Sequence, residues 1–114
     1  MIISRTPYRI SFFGGGTDYP EWYKHNNGEV ISTTINKYIY LSCRYLPTFF
    51  DHKYRIVYSK IENVNKISDI EHKVIRKAFS YLNINQGIEV HYDGGLPARS
   101  GMASSSAFTV GLIN

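Results

Sequence analysis

Leu96-Pro-Ala-Arg-Ser-Gly-Met-Ala-Ser-Ser-Ser-Ala107 is the stretch of this sequence that says most about the fold. It follows a predicted strand, Ile88 to Tyr92, and leads into a predicted helix that begins at Ser104. Its small residues leave backbone N–H groups uncovered, and the first turn of a helix adds unpaired N–H donors and the positive end of the helix dipole. The serine hydroxyls and Arg99 could also contact an anion. These residues alone leave two interpretations open, a phosphate-binding loop or a serine-rich helix start without a ligand.

Two common nucleotide-binding patterns do not occur in this stretch. The Walker pattern requires a lysine shortly after its second glycine, and no lysine follows Gly101. The glycine pattern G-x-G-x-x-G is also missing. A phosphate loop here would therefore be of another type.

The rest of the sequence predicts strands first and helices later. Ile2 to Phe13 is rich in β-branched and aromatic residues, and Pro7 predicts an edge strand or a break. A short helix is predicted from Thr17 to Lys24, with Asp18 and Glu21 as a capping box. Further strands are predicted at Glu29 to Ile35, Lys37 to Tyr45 and Tyr54 to Ser59, with a reversal at Asn36, a loop at Leu46 to Lys53 and a turn at Asp93 to Gly95.

A second helix is predicted in the second half of the chain. Ser68 and Glu71 resemble another capping box, and Asn83 to Gly87 predicts the end of this helix. The apolar residues at helical spacing are Ile70, Val74, Ile75, Ala78, Phe79 and Leu82. The resulting order of strands, helix, strand, loop and helix indicates an α+β fold.

Composition restricts the class of protein. The 114 residues are 43% hydrophobic and 19% charged, which is typical of one globular domain or part of one. The net charge of +4 is spread over both halves, so a nucleic-acid partner is not expected. The single cysteine, Cys43, is predicted to be a buried thiol in a cytoplasmic protein. No apolar run approaches the roughly 20 residues of a membrane span, and no membrane partner is expected.

The last helix shows no stop signal up to Asn114, which predicts that the sequence is a piece of a longer protein. Zinc binding is not expected, because the four histidines are scattered. The five tyrosines from Tyr38 to Tyr58 are interpreted as sheet packing rather than a base-stacking platform. Oligomeric state cannot be predicted from these features.

A second informative stretch lies near the start: Thr6-Pro-Tyr-Arg-Ile-Ser-Phe-Phe-Gly-Gly-Gly-Thr-Asp-Tyr-Pro20. Asp18 could accept hydrogen bonds from sugar hydroxyls or could cap a helix. Arg9 could pair with Asp18, with a substrate phosphate, or with a surface carboxylate. The residues alone leave these roles open.

Together the two stretches resemble the two N-terminal motifs of the GHMP kinases. Residues 97–106 are similar to the second motif, P-x-x-x-G-[LM]-[GA]-S-S-[AS], with Ala103 where the family usually has glycine. Residues 6–20 are similar to the first motif, A-P-x-R-x-x-x-x-G-x-x-T-D-Y. The sequence Phe-Phe-Gly-Gly-Gly-Thr-Asp-Tyr is most similar to this motif in kinases of heptose 7-phosphate, and next to that in fucose-type sugar kinases.

The resemblance implies a fold like ribosomal protein S5 domain 2, with a mainly antiparallel sheet and helices on one side. Residues 1–114 would be an incomplete N-terminal ATP-binding domain without its C-terminal domain. The implied reaction moves the γ-phosphoryl group of ATP·Mg²⁺ to a sugar hydroxyl. The segment 60–63 would pass near the adenine. The alternatives are a non-catalytic sugar or nucleotide sensor and an S5-like nucleic-acid-binding module.

The resemblance also assigns residues. The nucleotide would be bound by Pro97, Arg99, Ser100, Gly101, Met102, Ala103, Ser104, Ser105 and Ser106. Ser105 would be the ligand to Mg²⁺. The sugar would be bound by Arg9, Gly15, Gly16, Thr17, Asp18 and Tyr19. The family's catalytic aspartate would follow Asn114, so no catalytic residue is expected within the chain and the 114 residues alone are not expected to act as a kinase.

Overall fold

The fold is a five-stranded sheet with helices packed on one face. The structure is a computed structural model and describes residues 1–96 and 103–114. The strands are β1 (Ile2–Ser11), β2 (Ser32–Tyr45), β3 (Tyr54–Val57), β4 (Ile61–Val64) and β5 (Ile88–Gly94). The helices are α1 (Pro20–Tyr23), α2 (Lys73–Tyr81) and α3 (Ser104–Ile113), with 3₁₀ turns at Gly16–Asp18 and Ile67–Asp69.

The sheet has the order β1-β2-β5-β3-β4. Three of its strand pairs are antiparallel, and β3 with β5 is the parallel pair. The parallel pair is joined by a crossover that includes α2, as parallel neighbours require. The predicted α+β fold with a mainly antiparallel sheet is therefore confirmed.

One face of the sheet forms the core because apolar side chains alternate along the central strands. Ile56 of β3 lies beside Val90 of β5, which lies beside Cys43 of β2. The helices α2 and α3 cover this face with Ile75, Phe79 and Phe108, and all three are buried in one cluster with the strands. This arrangement confirms the prediction of helices on one side.

The first strand lies at the edge of the sheet, as Pro7 predicted. Its register with β2 shifts beside this proline, since Pro7 pairs with Tyr38 whereas Arg9 pairs with Thr34. Residues 35–37 of β2 are therefore opposite a single residue of β1 and form a bulge. The predicted chain reversal at Asn36 was wrong: β2 is one strand, which begins at Ser32 rather than Glu29.

The helix starts differ from the predicted capping boxes. The segment from Thr17 is a 3₁₀ turn followed by the one-turn helix α1, whose N-cap Tyr19 makes no side-chain cap bond. At α2 the N-cap is His72, whose Nδ1 accepts a hydrogen bond from the Ile75 N–H at 3.4 Å. Both predicted capping boxes were therefore wrong.

The predicted end of α2 is confirmed. Asn83 adopts the left-handed conformation with φ 52°, and the Ile84 N–H donates to the Phe79 carbonyl at 3.0 Å. β5 then runs to Gly94, so the predicted turn at Asp93 begins later than expected. The short strand β4 was not predicted as a strand.

Side-chain packing bears out part of the tyrosine interpretation. Tyr54 is buried against Phe79, with ring centroids 5.8 Å apart. The Tyr40 ring lies 6.4 Å from the Tyr38 ring on the same strand, whereas Tyr45 is exposed, so the interpretation was wrong for Tyr45. Cys43 is half-buried on the core face, and burial raises the pKa of its thiol. In the part of the chain that the structure describes, no helix has the length and apolar character needed to cross a membrane.

Candidate functional site

A cavity of about 510 Å³ opens where the first turn of α3 meets the end of β5 and the start of α2. Two of the predicted phosphate-binding serines, Ser104 and Ser105, line it. The other lining residues are Tyr58, Ser59, His72, Val74, Tyr92, Gly94, Leu96 and Phe108. The start of α3 and several aromatic rings therefore line the same cavity.

The aromatic wall of this cavity is built around His72. Its ring lies 5.0 Å from the Tyr58 ring and 5.1 Å from the Phe108 ring, and Phe108 also contacts Tyr92 at 5.4 Å. Burial lowers the pKa of His72, and this outweighs the opposing effect of the Glu62 charge. The imidazole is thus neutral at pH 7, and the wall presents uncharged rings.

Glu62 holds this wall from behind and was not recognised in this role from the sequence. Its buried carboxylate accepts hydrogen bonds from the Tyr58 hydroxyl at 2.7 Å and from the Glu71 and His72 amides at 2.6 and 3.2 Å. Burial alone would raise the pKa of Glu62, but these hydrogen bonds lower it overall. Burial and the bond to Glu62 raise the pKa of Tyr58 to about 12. Sequence distance hid this cluster, since Glu62 and Glu71 are nine positions apart.

The start of α3 has an unusual backbone. Ala103 adopts the left-handed conformation, with φ 55° and ψ 35°. Ser104 is half-buried and Ser105 is exposed, whereas Ser106 is exposed and does not line the cavity. The other residues predicted to bind nucleotide lie outside the described residues: Pro97, Arg99, Ser100, Gly101 and Met102.

The first motif forms a compact loop of its own. Gly14 has φ 75°, and the Asp18 carboxylate folds over Gly15 so closely that a Cβ there would lie 2.5 Å from Asp18 Oδ2. The Thr17 hydroxyl donates to the Glu29 carbonyl at 3.2 Å. Three residues of the loop, Gly14, Gly16 and Thr17, line a separate hollow of about 330 Å³ with Phe13, Glu29, Val30 and Ile31.

The remaining predicted sugar-binding side chains are not gathered in a cavity. Arg9, Asp18 and Tyr19 are exposed, and no ion pair joins Arg9 to Asp18 in the described chain.

The two motifs nevertheless begin at the same end of the sheet. Pro7 pairs with Tyr38 of β2, and the Tyr38 carbonyl on the opposite edge of β2 accepts a hydrogen bond from the Gly95 N–H at 3.3 Å. The first motif and the chain after β5 thus flank the same segment of β2.

The open face of the sheet carries a second buried carboxylate, Glu89. Arg44 and Arg55 lie on either side of it, because these three residues are register partners on adjacent strands. Glu89 accepts hydrogen bonds from Arg44 Nε at 2.5 Å, and its other oxygen lies 2.5 Å from His91 Nε2. Burial alone would raise the pKa of Glu89, but the His91 and Arg44 bonds and charges lower it overall.

Two further observations concern ligands. A cavity of about 500 Å³ at the other end of the sheet, near Leu46 and Gly87, contains none of the predicted site residues. Within residues 1–96 and 103–114, no three acidic, histidine or cysteine side chains form a group that could hold a metal ion.

The chain is similar in sequence to known kinases. Residues 65–114 match the family described as GHMP kinases N terminal domain. Over 110 residues the chain is 28% identical to galactokinases of Thermotoga petrophila and Thermotoga maritima, covering 93% of this chain. The chain spans about 30% of the length of these curated relatives.

Solved kinases share the fold. A D-glycero-D-manno-heptose 1-phosphate kinase from Bacteriodes thetaiotaomicron superimposes with a TM-score of 0.79 at 19% identity, over 99% of this chain and 40% of that one. The Methanococcus jannaschii mevalonate kinase gives a TM-score of 0.65 at 18% identity, over 98% of this chain and 38% of that one. The chain therefore has the fold of the N-terminal domain of GHMP kinases, and residues 65–114 match that family in sequence.

Proposed function

We propose that this chain is the nucleotide-binding part of a kinase that transfers the γ-phosphoryl group of ATP·Mg²⁺ to a sugar hydroxyl. The cavity at the start of α3 is the observation that carries the proposal. It combines Ser104 and Ser105 at a helix N-terminus with a wall of uncharged rings. A nucleotide has matching parts, since its phosphates suit the helix terminus and its base suits the rings.

The base is proposed to lie against the wall formed by Tyr58, His72 and Phe108. The His72 ring centroid lies 5.0 Å from that of Tyr58 and 5.1 Å from that of Phe108, so His72 connects the other two rings. The hydrogen bonds that Glu62 accepts hold this wall in place before a ligand arrives. Preorganisation of this kind reduces the entropy lost on binding.

The phosphates are proposed to lie at the first turn of α3, because the motif resemblance implies that Gly101 to Ser104 wrap the phosphates of the nucleotide. Ser105 is exposed and lines the cavity, so its hydroxyl fits the role of an oxygen ligand to Mg²⁺. Mg²⁺, when bound, would neutralise charge on the phosphates. The residues of this chain bind and orient the nucleotide, and they keep the base side of the cavity apolar.

The acceptor is proposed to be a sugar or sugar phosphate bound near the first motif, with Arg9, Gly15, Gly16, Thr17, Asp18 and Tyr19 as contacts. D-glycero-D-manno-heptose 7-phosphate, giving the 1,7-bisphosphate, is the first choice because of the Phe-Phe-Gly-Gly-Gly-Thr-Asp-Tyr wording. Fucose-type sugars come second. Galactose and heptose 1-phosphate are further candidate acceptors, because similar proteins are a galactokinase and a heptose 1-phosphate kinase.

The acceptor is tested by measuring ATP consumption of the full-length protein with a panel of these sugars and sugar phosphates. Turnover with one acceptor, and much weaker turnover with the others, is the expected result. Nucleotide binding without turnover on any sugar would instead favour the non-catalytic sensor. Salt-sensitive RNA binding without nucleotide binding would favour the S5-like nucleic-acid module.

The metal role is tested with Ser105→Ala in the full-length protein. Its apparent affinity for Mg²⁺ in the presence of ATP should fall about tenfold or more, since one ligand is lost. The matched control is Ser80→Ala, which changes an exposed serine near the end of α2. An unchanged Mg²⁺ dependence in Ser105→Ala would contradict the assignment.

A further inference from the structure

Two tyrosine hydroxyls converge on Gly94, where β5 ends and the chain enters the loop before α3. A Cβ added to Gly94 would lie 3.1 Å from Tyr8 Oη and would overlap Tyr92 Oη. Tyr92 lines the cavity described above, and Tyr8 lies behind it with no exposed surface. The two hydroxyls therefore share one small space beneath the loop entrance.

The Tyr8 hydroxyl is unusual because it is buried and has no hydrogen-bond partner among the described residues. A buried hydroxyl without a partner is destabilising, and most such groups in folded proteins are paired. Tyr54 illustrates the usual case, since its hydroxyl donates to the Ile84 carbonyl at 3.0 Å. The Tyr8 hydroxyl lies near Gly94, as does the hydroxyl of the cavity-lining Tyr92, so Tyr92 can accept a hydrogen bond from Tyr8 once the Tyr92 hydroxyl donates its own proton to a ligand.

The neighbouring Tyr92 is suited to be a donor. Burial raises its pKa, so it keeps its proton at neutral pH. A phenol that donates to an anion forms a stronger hydrogen bond than one between neutral groups. A second hydroxyl that donates to the first strengthens it further, because hydrogen bonds in a chain polarise one another.

We propose that Tyr8 and Tyr92 form a two-hydroxyl relay that binds a phosphate oxygen of the ligand beside Gly94, at the end of β5. Tyr92 donates to the phosphate, and Tyr8 donates to Tyr92. Tyr8 is thus a positioning residue that acts through Tyr92. This inference rests on the proposed nucleotide site, since Ser104 and Ser105 line the same cavity. It also connects the first motif, which contains Tyr8, to the second.

The test measures the dissociation constants of ATP·Mg²⁺ and of inorganic tripolyphosphate for the full-length protein by calorimetry. Tyr92→Phe should weaken both about tenfold, because a hydrogen bond to a charged group is lost. Tyr8→Phe should weaken both about threefold, because only the supporting bond is lost. The double variant should bind no more weakly than Tyr92→Phe alone, since Tyr8 then has nothing to act through.

A stability measurement separates this role from a structural one. Tyr8→Phe should leave the thermal midpoint of the ligand-free protein unchanged or raised, because the removed hydroxyl has no partner there. The matched control, Tyr54→Phe, should lower the midpoint and leave tripolyphosphate affinity unchanged.

Three results would overturn the relay while leaving the nucleotide site standing. The first is that Tyr8→Phe binds both ligands with the wild-type dissociation constants. The second is that the losses of affinity in the double variant are additive. The third is that the variants weaken the binding of ATP but not that of tripolyphosphate. Absence of ATP binding in the wild type would overturn the proposed function, and the relay with it.

Discussion

Ala103 holds a backbone conformation that alanine rarely adopts. Its φ of 55° places it in the left-handed region at the residue where α3 begins. A side chain with a Cβ pays about 1–2 kcal/mol for this conformation, and glycine does not. The motif comparison marked this position from the sequence alone, and the structure supplies the physical reason.

Ala103→Gly should therefore stabilise the protein by about 0.5–1 kcal/mol, the relief of strain less the greater freedom that glycine gives the unfolded chain. Urea unfolding monitored by circular dichroism measures this change. The control Ala107→Gly lies in the middle of the same helix and is buried, so it should destabilise by about 1 kcal/mol or more. A destabilised Ala103→Gly would show that the left-handed conformation is not what limits this position.

Other residues of the site could not be predicted from the sequence. Ser104 and Ser105 could be identified from the sequence, because small residues at the start of a helix indicate an anion site without reference to distant residues. Glu62 and Tyr8 gave no such signal. Their roles depend on partners that are distant in sequence, His72 for one and Tyr92 for the other.

At the scale of elements, α3 is held close to the first strand by a glycine. A Cβ added to Gly111 would lie 2.7 Å from Thr6 Oγ1 and 3.2 Å from Leu41 Cδ1. A contact under 3.0 Å requires the Thr6 side chain, the helix or the strand to shift, and closely packed surfaces resist such movement. Gly111 thus sets the distance between α3 and the sheet, and with it the position of the cavity's serines.

Gly111→Ala should destabilise the protein by about 1–3 kcal/mol, even though alanine favours a helix by roughly 1 kcal/mol. The measurement is the free energy of unfolding in urea. Val110→Ala, on the exposed side of the same helix, should change it by less than about 1 kcal/mol. Thr6→Ala should recover part of the loss in the double variant, and an additive effect would contradict a steric cause.

The elements themselves were predicted better than their connections. Alternation and helical spacing identified β1, α2, β5 and α3, because their apolar faces are continuous. The predicted reversal at Asn36 failed because a polar residue in a bulge resembles one in a turn. The predicted capping box at Ser68 and Glu71 failed because the Glu62 carboxylate binds the Glu71 amide, which the Ser68 side chain would satisfy in such a box.

For the whole molecule, two buried carboxylates on opposite faces of the sheet govern the response to acid. Both Glu62 and Glu89 have pKa values lowered below 4.5, so the folded state favours their charged forms. Their stabilising effect is fully present above the unfolded pKa of about 4.3 and is lost as the pH falls through the lower folded values. Stability should thus decline below about pH 4.5.

The variants Glu62→Gln and Glu89→Gln should each lower the free energy of unfolding at pH 7 by about 1–3 kcal/mol, since charged hydrogen bonds are lost. Unfolding in urea from pH 7 to pH 3 should show each curve approaching the wild-type curve as the wild-type carboxylate becomes protonated. Glu71→Gln is the control, because the Glu71 side chain is 67% exposed and forms its ion pair among the described residues with Lys60. Curves that stay parallel for Glu62→Gln and Glu89→Gln would contradict this account.

At this scale the sequence predicted the fold class but not the strand order. The order of predicted elements indicated α+β, and the motif resemblance indicated the mainly antiparallel sheet. The insertion of β5 between β2 and β3 depends on long-range pairing, and no local pattern encodes it.

That insertion has a consequence for synthesis on the ribosome. The pairs β1–β2 and β3–β4 can each form early, but no strand joins them until residues 88–94 have emerged. The nascent chain can therefore carry two separate half-sheets, each with an unpaired edge, while residues 65–94 are being made. Unpaired edges of this kind invite pairing with other chains. Delayed translation just before Ile88 would prolong this exposure, whereas rapid passage through β5 would close the sheet.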